Sequence, residues 1–69
     1  MKILFSERLV GLRREKGLIQ SELAKILNTT QRRISYLESG KIEPDLTILT
    51  ALSSYFEVST DYLIGLKDY

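Results

Sequence analysis

The stretch from Gln20 to Gly40, QSELAKILNTTQRRISYLESG, decides the fold of this 69-residue chain. Its apolar residues first follow the spacing of one helix face. Asn28 then interrupts the spacing, and asparagine tolerates the positive φ of a tight turn. Thr30 can accept a hydrogen bond from a backbone N–H and so begin another helix. The stretch therefore predicts two short helices, about 20–27 and 31–38, joined by a tight turn.

The second of these helices has a thin apolar side and a polar side with long hydrogen-bonding reach. Ile34 and Leu37 are its only residues of a type that proteins usually bury. At about 100° per residue, Arg32 lies nearly opposite them. This polar side is a candidate contact surface, and its members are Gln31, Arg32, Ser35 and Tyr36.

Helical spacing also continues on both sides of the central stretch. Further helices are predicted over about 4–16, 46–56 and 60–66. Gly17 is placed to end the first, and Asp45 and Ser59 are placed to cap the other two. Alternation of apolar and polar residues, the signal of a half-buried strand, is almost absent. The chain is therefore predicted to be all-α, a compact bundle of five helices that forms one domain over residues 1–69.

The composition excludes several classes of function. The chain has no Cys and no His, which removes disulfides, thiol catalysis and the usual zinc ligands. It also has no glycine-rich phosphate loop and no supported pair of carboxylates. We therefore expect no enzyme, no catalytic residue, no metal, no cofactor and no small-molecule ligand.

The sequence has no signal for a membrane or for export. No apolar run approaches the roughly 20 residues of a membrane span. The opening MKILF is too short for the apolar core of a signal peptide. The absence of Cys suits a reducing cytosol. We expect a cytoplasmic protein that makes no membrane contact.

The charges are distributed unevenly along the chain. Residues 1–41 contain nine Lys or Arg against four acidic residues, a net charge of +5. Residues 42–69 contain one Lys against five acidic residues, a net charge of −4. The basic part is suited to face phosphate while the acidic part faces away. The alternative is a solvated surface on which like charges cluster by chance.

The order of these features resembles the lambda-repressor-like family of helix-turn-helix proteins, which is also called the Cro/C1-type or XRE family. The resemblance covers nearly the whole chain and includes all five helices in order. The matching segments are LRREKGL at 12–18, QSELAKIL at 20–27, TTQRRISYLESGK at 29–41 and PDLTILTALSSYFEVSTDYLIG at 44–65.

The resemblance implies double-stranded DNA as the partner, with the helix-turn-helix at 20–38. The residues expected to contact bases are Gln31, Arg32, Ser35 and Tyr36. Those expected to contact phosphate are Gln20, Ser21, Thr30, Arg33, Ser39 and Lys41. A structural ion pair is expected between Arg13 and Glu38.

Three of these assignments leave alternatives open. Ser35 either contacts a base or makes no contact. Arg33 is either a phosphate contact or a solvated charge. Tyr36 either contacts the DNA or rests half-packed on its own scaffold. For the base contacts, glutamine suits N6 and N7 of adenine and arginine suits O6 and N7 of guanine. We therefore expect Gln31 to recognise adenine and Arg32 to recognise guanine.

The chain departs from the family pattern at three places. Ile19 stands where Ser or Thr often caps the second helix, so that helix is expected to begin less cleanly. Asn28 replaces a turn glycine, which is acceptable because both tolerate positive φ. Glu57 replaces a common Gly or Asn, so strain is expected between the last two helices.

The resemblance implies a transcription regulator, with repression at a palindromic operator as the first hypothesis. A homodimer is expected because one short helix covers few base pairs. The candidate residues for its interface are Tyr55, Tyr62, Leu63 and Leu66. DNA binding would associate the protein with the nucleoid. Two alternatives remain: an antitoxin that binds a protein partner and its own promoter, and the DNA-binding part of a longer regulator.

Overall fold

A computed structural model describes residues 2–69 of the chain as five α-helices joined by short turns. Over these residues there is no strand, so the all-α prediction is confirmed. No helix among them combines the length and the apolar character needed to cross a membrane. The helices are α1 (Lys2–Glu15), α2 (Gln20–Ile26), α3 (Gln31–Ser39), α4 (Leu46–Phe56) and α5 (Thr60–Ile64).

One apolar core joins all five helices. Its residues are less than a tenth exposed, and several are fully buried. Every helix contributes because each places one apolar side toward the centre. The core consists of Phe5, Leu9, Leu23, Ala24, Ile34, Leu37, Ile48, Leu52, Phe56 and Leu63.

Helix α4 buries some of its apolar residues in the core and leaves others exposed. Ile48, Leu52 and Phe56 are buried, whereas Leu46 is 77% exposed. Leu46 comes first after the cap and points outward because the i, i+4, i+8 series from Ile48 faces the other helices. The apolar residues of α4 therefore do not all serve the core.

Leu63 is one predicted interface residue that the fold rules out. Its side chain is fully buried among the core residues. A side chain with no exposed surface has nothing left to offer a second copy. The prediction that Leu63 lies in a dimer interface is therefore wrong.

The predicted caps of α4 and α5 are confirmed, but α5 is shorter than predicted. Asp45 Oδ1 accepts a hydrogen bond from the Ile48 N–H at 2.8 Å, and Ser59 Oγ accepts one from the Tyr62 N–H at 3.0 Å. α5 ends at Ile64 rather than near Leu66, because Gly65 adopts φ +89°.

Arg8, on α1, binds α5 and the segment that follows it. Its guanidinium lies 4.1 Å from the centre of the Tyr62 ring and donates hydrogen bonds to the Tyr62 and Lys67 carbonyls. It also lies 3.7 Å from the Asp68 carboxylate. Arg8 therefore stabilises the packing of α1 against the segment after α5.

Candidate nucleic-acid interface

Helix α3 is fixed from within the fold and at both ends. Ile34 and Leu37 are fully buried, so one side of the helix is held in the core. At its start, Thr30 Oγ1 accepts a hydrogen bond from the Arg33 N–H at 3.2 Å. At its end, Gly40 adopts φ +79°, the left-handed conformation that glycine takes without a Cβ penalty. The polar side predicted from sequence is therefore presented by a rigid helix.

A tight turn sets the angle between α2 and α3. Asn28 has φ +56°, which confirms the predicted positive φ. The Thr29 N–H donates to the Ala24 carbonyl at 2.8 Å and closes the end of α2. Ala24 is buried, and its small side chain lets another helix approach closely. These contacts give the helix-turn-helix geometry expected for 20–38.

The beginning of α3 presents two side chains that are free of protein partners. Gln31 and Arg32 are exposed, and their side chains make no hydrogen bond or ion pair with any residue that the structure describes. Ser35 and Tyr36 follow one turn later and are half-buried. Residues four apart on a helix lie on the same face, so the four form two adjacent rows.

Glu38, near the end of α3, accepts hydrogen bonds from two other helices. Arg13 Nε donates to its Oε2 at 2.6 Å, and Arg13 Nη2 donates to its Oε1 at 3.0 Å. Gln20 Nε2 also donates to Oε1, at 3.1 Å. The forked geometry is the one in which arginine binds carboxylates most strongly. Glu38 thus links α1, α2 and α3.

This ion pair is shielded from solvent. The side chains of Arg13 and Glu38 are 11% and 6% exposed. Arg13 Nη1 donates to the Leu18 carbonyl at 2.8 Å, which uses a further guanidinium hydrogen. The hydrogen bond to Glu38 and the charge of that carboxylate raise the pKa of Arg13 above its usual value, against the opposing effect of burial. The Arg13 guanidinium therefore stays protonated, and its hydrogen bonds to Glu38 hold the end of α3 in a fixed orientation.

The start of α2 has half of the usual capping arrangement. Ile19 has no side-chain acceptor, and no side-chain cap is present. The Glu22 carboxylate instead reaches back to accept a hydrogen bond from the Ile19 N–H at 2.9 Å. The next residues, Gln20 and Ser21, are both half-buried. The less complete start expected from Ile19 is therefore present.

Tyr36, Ser39 and Lys41 come together at the end of α3. The Lys41 ammonium lies 4.7 Å from the centre of the Tyr36 ring, within cation–π range. The Tyr36 carbonyl accepts hydrogen bonds from the Lys41 N–H at 2.9 Å and from Ser39 Oγ at 3.2 Å. A cation and a hydroxyl thus lie beside the half-buried tyrosine.

Arg33 pairs with an acidic residue that sequence reasoning assigned only a capping role. Its Nη2 lies 2.7 Å from Asp45 Oδ2. The pKa of Asp45 is lowered by the hydrogen bond from the Ile48 N–H and by the hydrogen bond from Arg33. No sequence pattern indicates this pair, because its members are 12 positions apart and a loop lies between them.

Some of the basic side chains contact other side chains of the protein, and others do not. Arg8, Arg13 and Arg33 each pair with an acidic side chain. Lys16 and Lys41 lie over tyrosine rings. Among the side chains that the structure describes, the cations without a partner are Arg14, Lys25 and Arg32. Among the described side chains, therefore, fewer cations are free of contacts within the protein than the sequence indicated.

Comparisons with known proteins agree with this geometry. A family model described as helix-turn-helix matches residues 11–63. The SPbeta prophage-derived HTH-type transcriptional regulator YonR of Bacillus subtilis is 44% identical over 61 residues, 88% of this chain and 56% of that protein. The HTH-type transcriptional activator BcrR of Enterococcus faecalis is 40% identical over 61 residues, 88% of this chain and 30% of that protein. The chain thus spans about half or less of the length of these curated relatives.

One solved structure is similar to this chain over most of the length of both proteins. The crystal structure of the P22 c2 repressor protein in complex with synthetic operator 9T superposes with a TM-score of 0.81 at 33% identity. The similarity covers 87% of this chain and 91% of that one. These proteins belong to a class that regulates transcription and has no enzymatic activity. The chain therefore belongs to the helix-turn-helix family of DNA-binding proteins, in its lambda-repressor-like (XRE) branch.

Proposed function

We propose that residues 1–69 form one DNA-binding domain of a transcriptional repressor, which recognises a palindromic operator through α3. The observation that carries this proposal is the exposure of the Gln31 and Arg32 side chains. Both are exposed and without protein partners at the start of a helix whose opposite side is locked in the core. In this motif the start of the second helix enters the major groove. A relative of known structure is described in complex with a synthetic operator.

The chemistry of the two exposed side chains suggests which bases they contact. The amide of Gln31 matches N6 and N7 of adenine, and the guanidinium of Arg32 matches O6 and N7 of guanine. Ser35 and Tyr36 lie one turn further along the same face and would contact the adjoining base pairs or sugars. The proposed half-site therefore contains an adenine next to a guanine.

The residues around α3 are suited to contact phosphate. Gln20 uses one amide hydrogen on Glu38, and its nitrogen carries a second that remains for an anion. Thr30, Ser39 and Lys41 are exposed at the two ends of α3. With Ser21 and Arg33 they would fix the register of the helix without selecting a sequence.

A two-fold dimer would place two copies of α3 in successive turns of the major groove. Half-sites about 34 Å apart are characteristic of phage repressors of this same family, so this spacing is an inference from kinship. Leu66 is 72% exposed, and Tyr55 and Tyr62 retain exposed surface. We assign the dimer contact to these three residues. Sedimentation of the Leu66→Ser variant should show weakened association.

Repression and activation differ in where the operator lies, not in how α3 contacts it. A protein bound across a promoter blocks the polymerase, whereas one bound upstream can recruit it. BcrR is named as an activator and P22 c2 as a repressor, so both outcomes occur among relatives. We propose repression, and a reporter gene placed behind the selected operator tests it. Higher reporter output in the presence of the protein would contradict repression.

Selection of bound duplexes from a random pool, followed by sequencing, is the decisive test of DNA recognition. We expect a two-fold symmetric motif with half-sites one helical turn apart. Binding should weaken steeply with salt, since each phosphate contact contributes a slope of about −0.9 in log K against log salt. Failure to enrich any motif would contradict sequence-specific recognition. A single unrepeated half-site would contradict the dimer alone.

A further inference from the structure

We propose that Asp45 acts as an internal competitor of DNA phosphate for Arg33 and so limits how tightly the chain binds DNA of any sequence. This inference rests on the proposed function, in which Arg33 lies at the edge of the DNA-binding surface. It assigns to Asp45 a role in setting affinity, in addition to its role as the cap of α4.

The Asp45 carboxylate is held in place before any DNA arrives. Its Oδ1 accepts the hydrogen bond from the Ile48 N–H at 2.8 Å, which caps α4. Its Oδ2 is left for Arg33, whose Nη2 lies 2.7 Å away. Because the cap fixes one oxygen, the second is presented to Arg33 without a further loss of side-chain freedom. Asp45 is thus a preorganised acceptor for the guanidinium.

Arg33 is anchored on the element that would enter the groove. Its own N–H donates to Thr30 Oγ1 in the first turn of α3, one residue after Arg32. A guanidinium binds a phosphate and a carboxylate with the same forked donor geometry. Asp45 binds through Nη2 alone, so phosphate and the Asp45 carboxylate are alternative partners for that nitrogen and for the charge of the guanidinium.

The pair is exposed enough for the exchange to be reversible. The side chains of Arg33 and Asp45 are 38% and 56% exposed. An exposed pair of this kind shifts an equilibrium by only about two- to fivefold. Arg13 and Glu38, at 11% and 6% exposure, form the contrasting pair that is buried and structural. Competition by Asp45 lowers the affinity for phosphate without removing it.

The competition changes affinity and specificity differently. Non-specific binding depends almost entirely on cations that neutralise phosphate. Gln31 and Arg32 have no acidic partner among the described residues, so their base contacts escape the competition. Pairing of Arg33 with Asp45 therefore weakens binding to random DNA and raises the relative weight of base recognition.

The test compares two changes that each remove one negative charge. Asp45→Asn frees Arg33 and keeps an oxygen for the cap, because asparagine caps helices about as well as aspartate. Glu43→Gln is the matched control, since Glu43 is exposed in the same loop and pairs with no described residue. The dissociation constant for random-sequence duplex is measured at low salt for both variants, alone and in an Arg33→Gln background. Elution from a heparin column gives a second readout with a different polyanion.

We expect Asp45→Asn to tighten binding about two- to fivefold more than Glu43→Gln does. This difference should vanish in the Arg33→Gln background, where no guanidinium is released. Equal effects of the two changes, or a difference that persists without Arg33, overturn the proposal. If the unaltered chain binds no duplex at all, the proposed function fails instead. Heparin elution then decides this inference: later elution of Asp45→Asn supports it, and equal elution overturns it.

Discussion

Arg13 Nε lies 2.6 Å from Glu38 Oε2, so the last turn of α3 is tied to α1 by a buried ion pair. Gln20 donates to the same carboxylate from α2. The orientation of α3 is therefore set by two neighbouring helices as well as by its own core contacts. The helix that would recognise DNA depends on a residue outside the helix-turn-helix.

Removal of one member of this pair should destabilise the whole fold. We expect Glu38→Ala to lower the free energy of unfolding by roughly 3–5 kcal/mol, because it leaves a buried arginine without its partner. Urea denaturation measures the change. Glu7→Ala is the control, since Glu7 is exposed on α1 and has no described partner. It should stay within about 0.5 kcal/mol of the unaltered chain. Equal unfolding midpoints for the two variants would refute a stabilising role for Glu38.

Arg32 should determine base preference rather than overall affinity. We expect Arg32→Ala to cost roughly 1–3 kcal/mol of binding free energy at the operator and to relax the preference at one base pair of each half-site. A set of operators with single base changes measures both effects. Lys25→Ala, which removes an unpaired cation from α2, should leave the preference unchanged. Uniform weakening across the set would instead make Arg32 a phosphate contact.

The lowered pKa of Asp45 predicts a pH-dependent contribution to stability. The folded pKa lies below the ordinary value of about 3.9, because the Ile48 N–H and the Arg33 guanidinium favour the ionised carboxylate. The contribution is therefore fully present above pH 3.9 and is lost as the pH falls through the folded pKa. Unfolding of the unaltered chain and of Asp45→Asn, followed from pH 7 to pH 2.5, should show their stabilities converging at the acid end. A constant difference over that range would rule the linkage out.

Gly11 should be a site at which the fold is easily stabilised. It lies inside α1, is exposed, and a Cβ added there would meet nothing within 4 Å. We expect Gly11→Ala to raise the free energy of unfolding by about 0.5–1 kcal/mol, since glycine is a poor helix former. Gly65→Ala should instead lower the free energy of unfolding, because the φ of Gly65 is +89° and a Cβ there would lie 2.5 Å from Leu4 Cδ2. Thermal melts that rank the two variants in the reverse order would contradict both assignments.

Glu57 should carry the strain that its position between α4 and α5 implies. It has φ +56° and ψ +45°, a left-handed conformation that costs a residue with a Cβ about 1 kcal/mol or more. We expect Glu57→Gly to raise the melting temperature, because glycine adopts this conformation freely. Glu57→Asn should give a smaller gain, as asparagine tolerates positive φ better than glutamate does. A lower melting temperature for Glu57→Gly would show that the side chain compensates for its backbone.

Local signals in the sequence determined the helices and the exposed side of α3. The Asn28 turn, the Thr30 cap and the Gly40 terminus are each set by backbone conformations that few residue types adopt. The spacing of Ile34 and Leu37 then fixes which side of α3 faces inward. These features involve residues within a few positions of one another, so they can be predicted from the sequence without knowledge of the fold.

Tertiary structure alone decided which side chains meet across the molecule. Arg33 pairs with Asp45 rather than standing free, and Leu63 is buried while Leu46 is exposed. Arg8 belongs by sequence to the basic part of the chain, yet it binds the segment after α5. Such contacts depend on how the helices pack, and residue spacing along the chain contains no periodic signal for them. The sequence thus identified the polar side chains on the exposed side of α3, and the packing of the helices determined which basic side chains are left without a partner among the described residues.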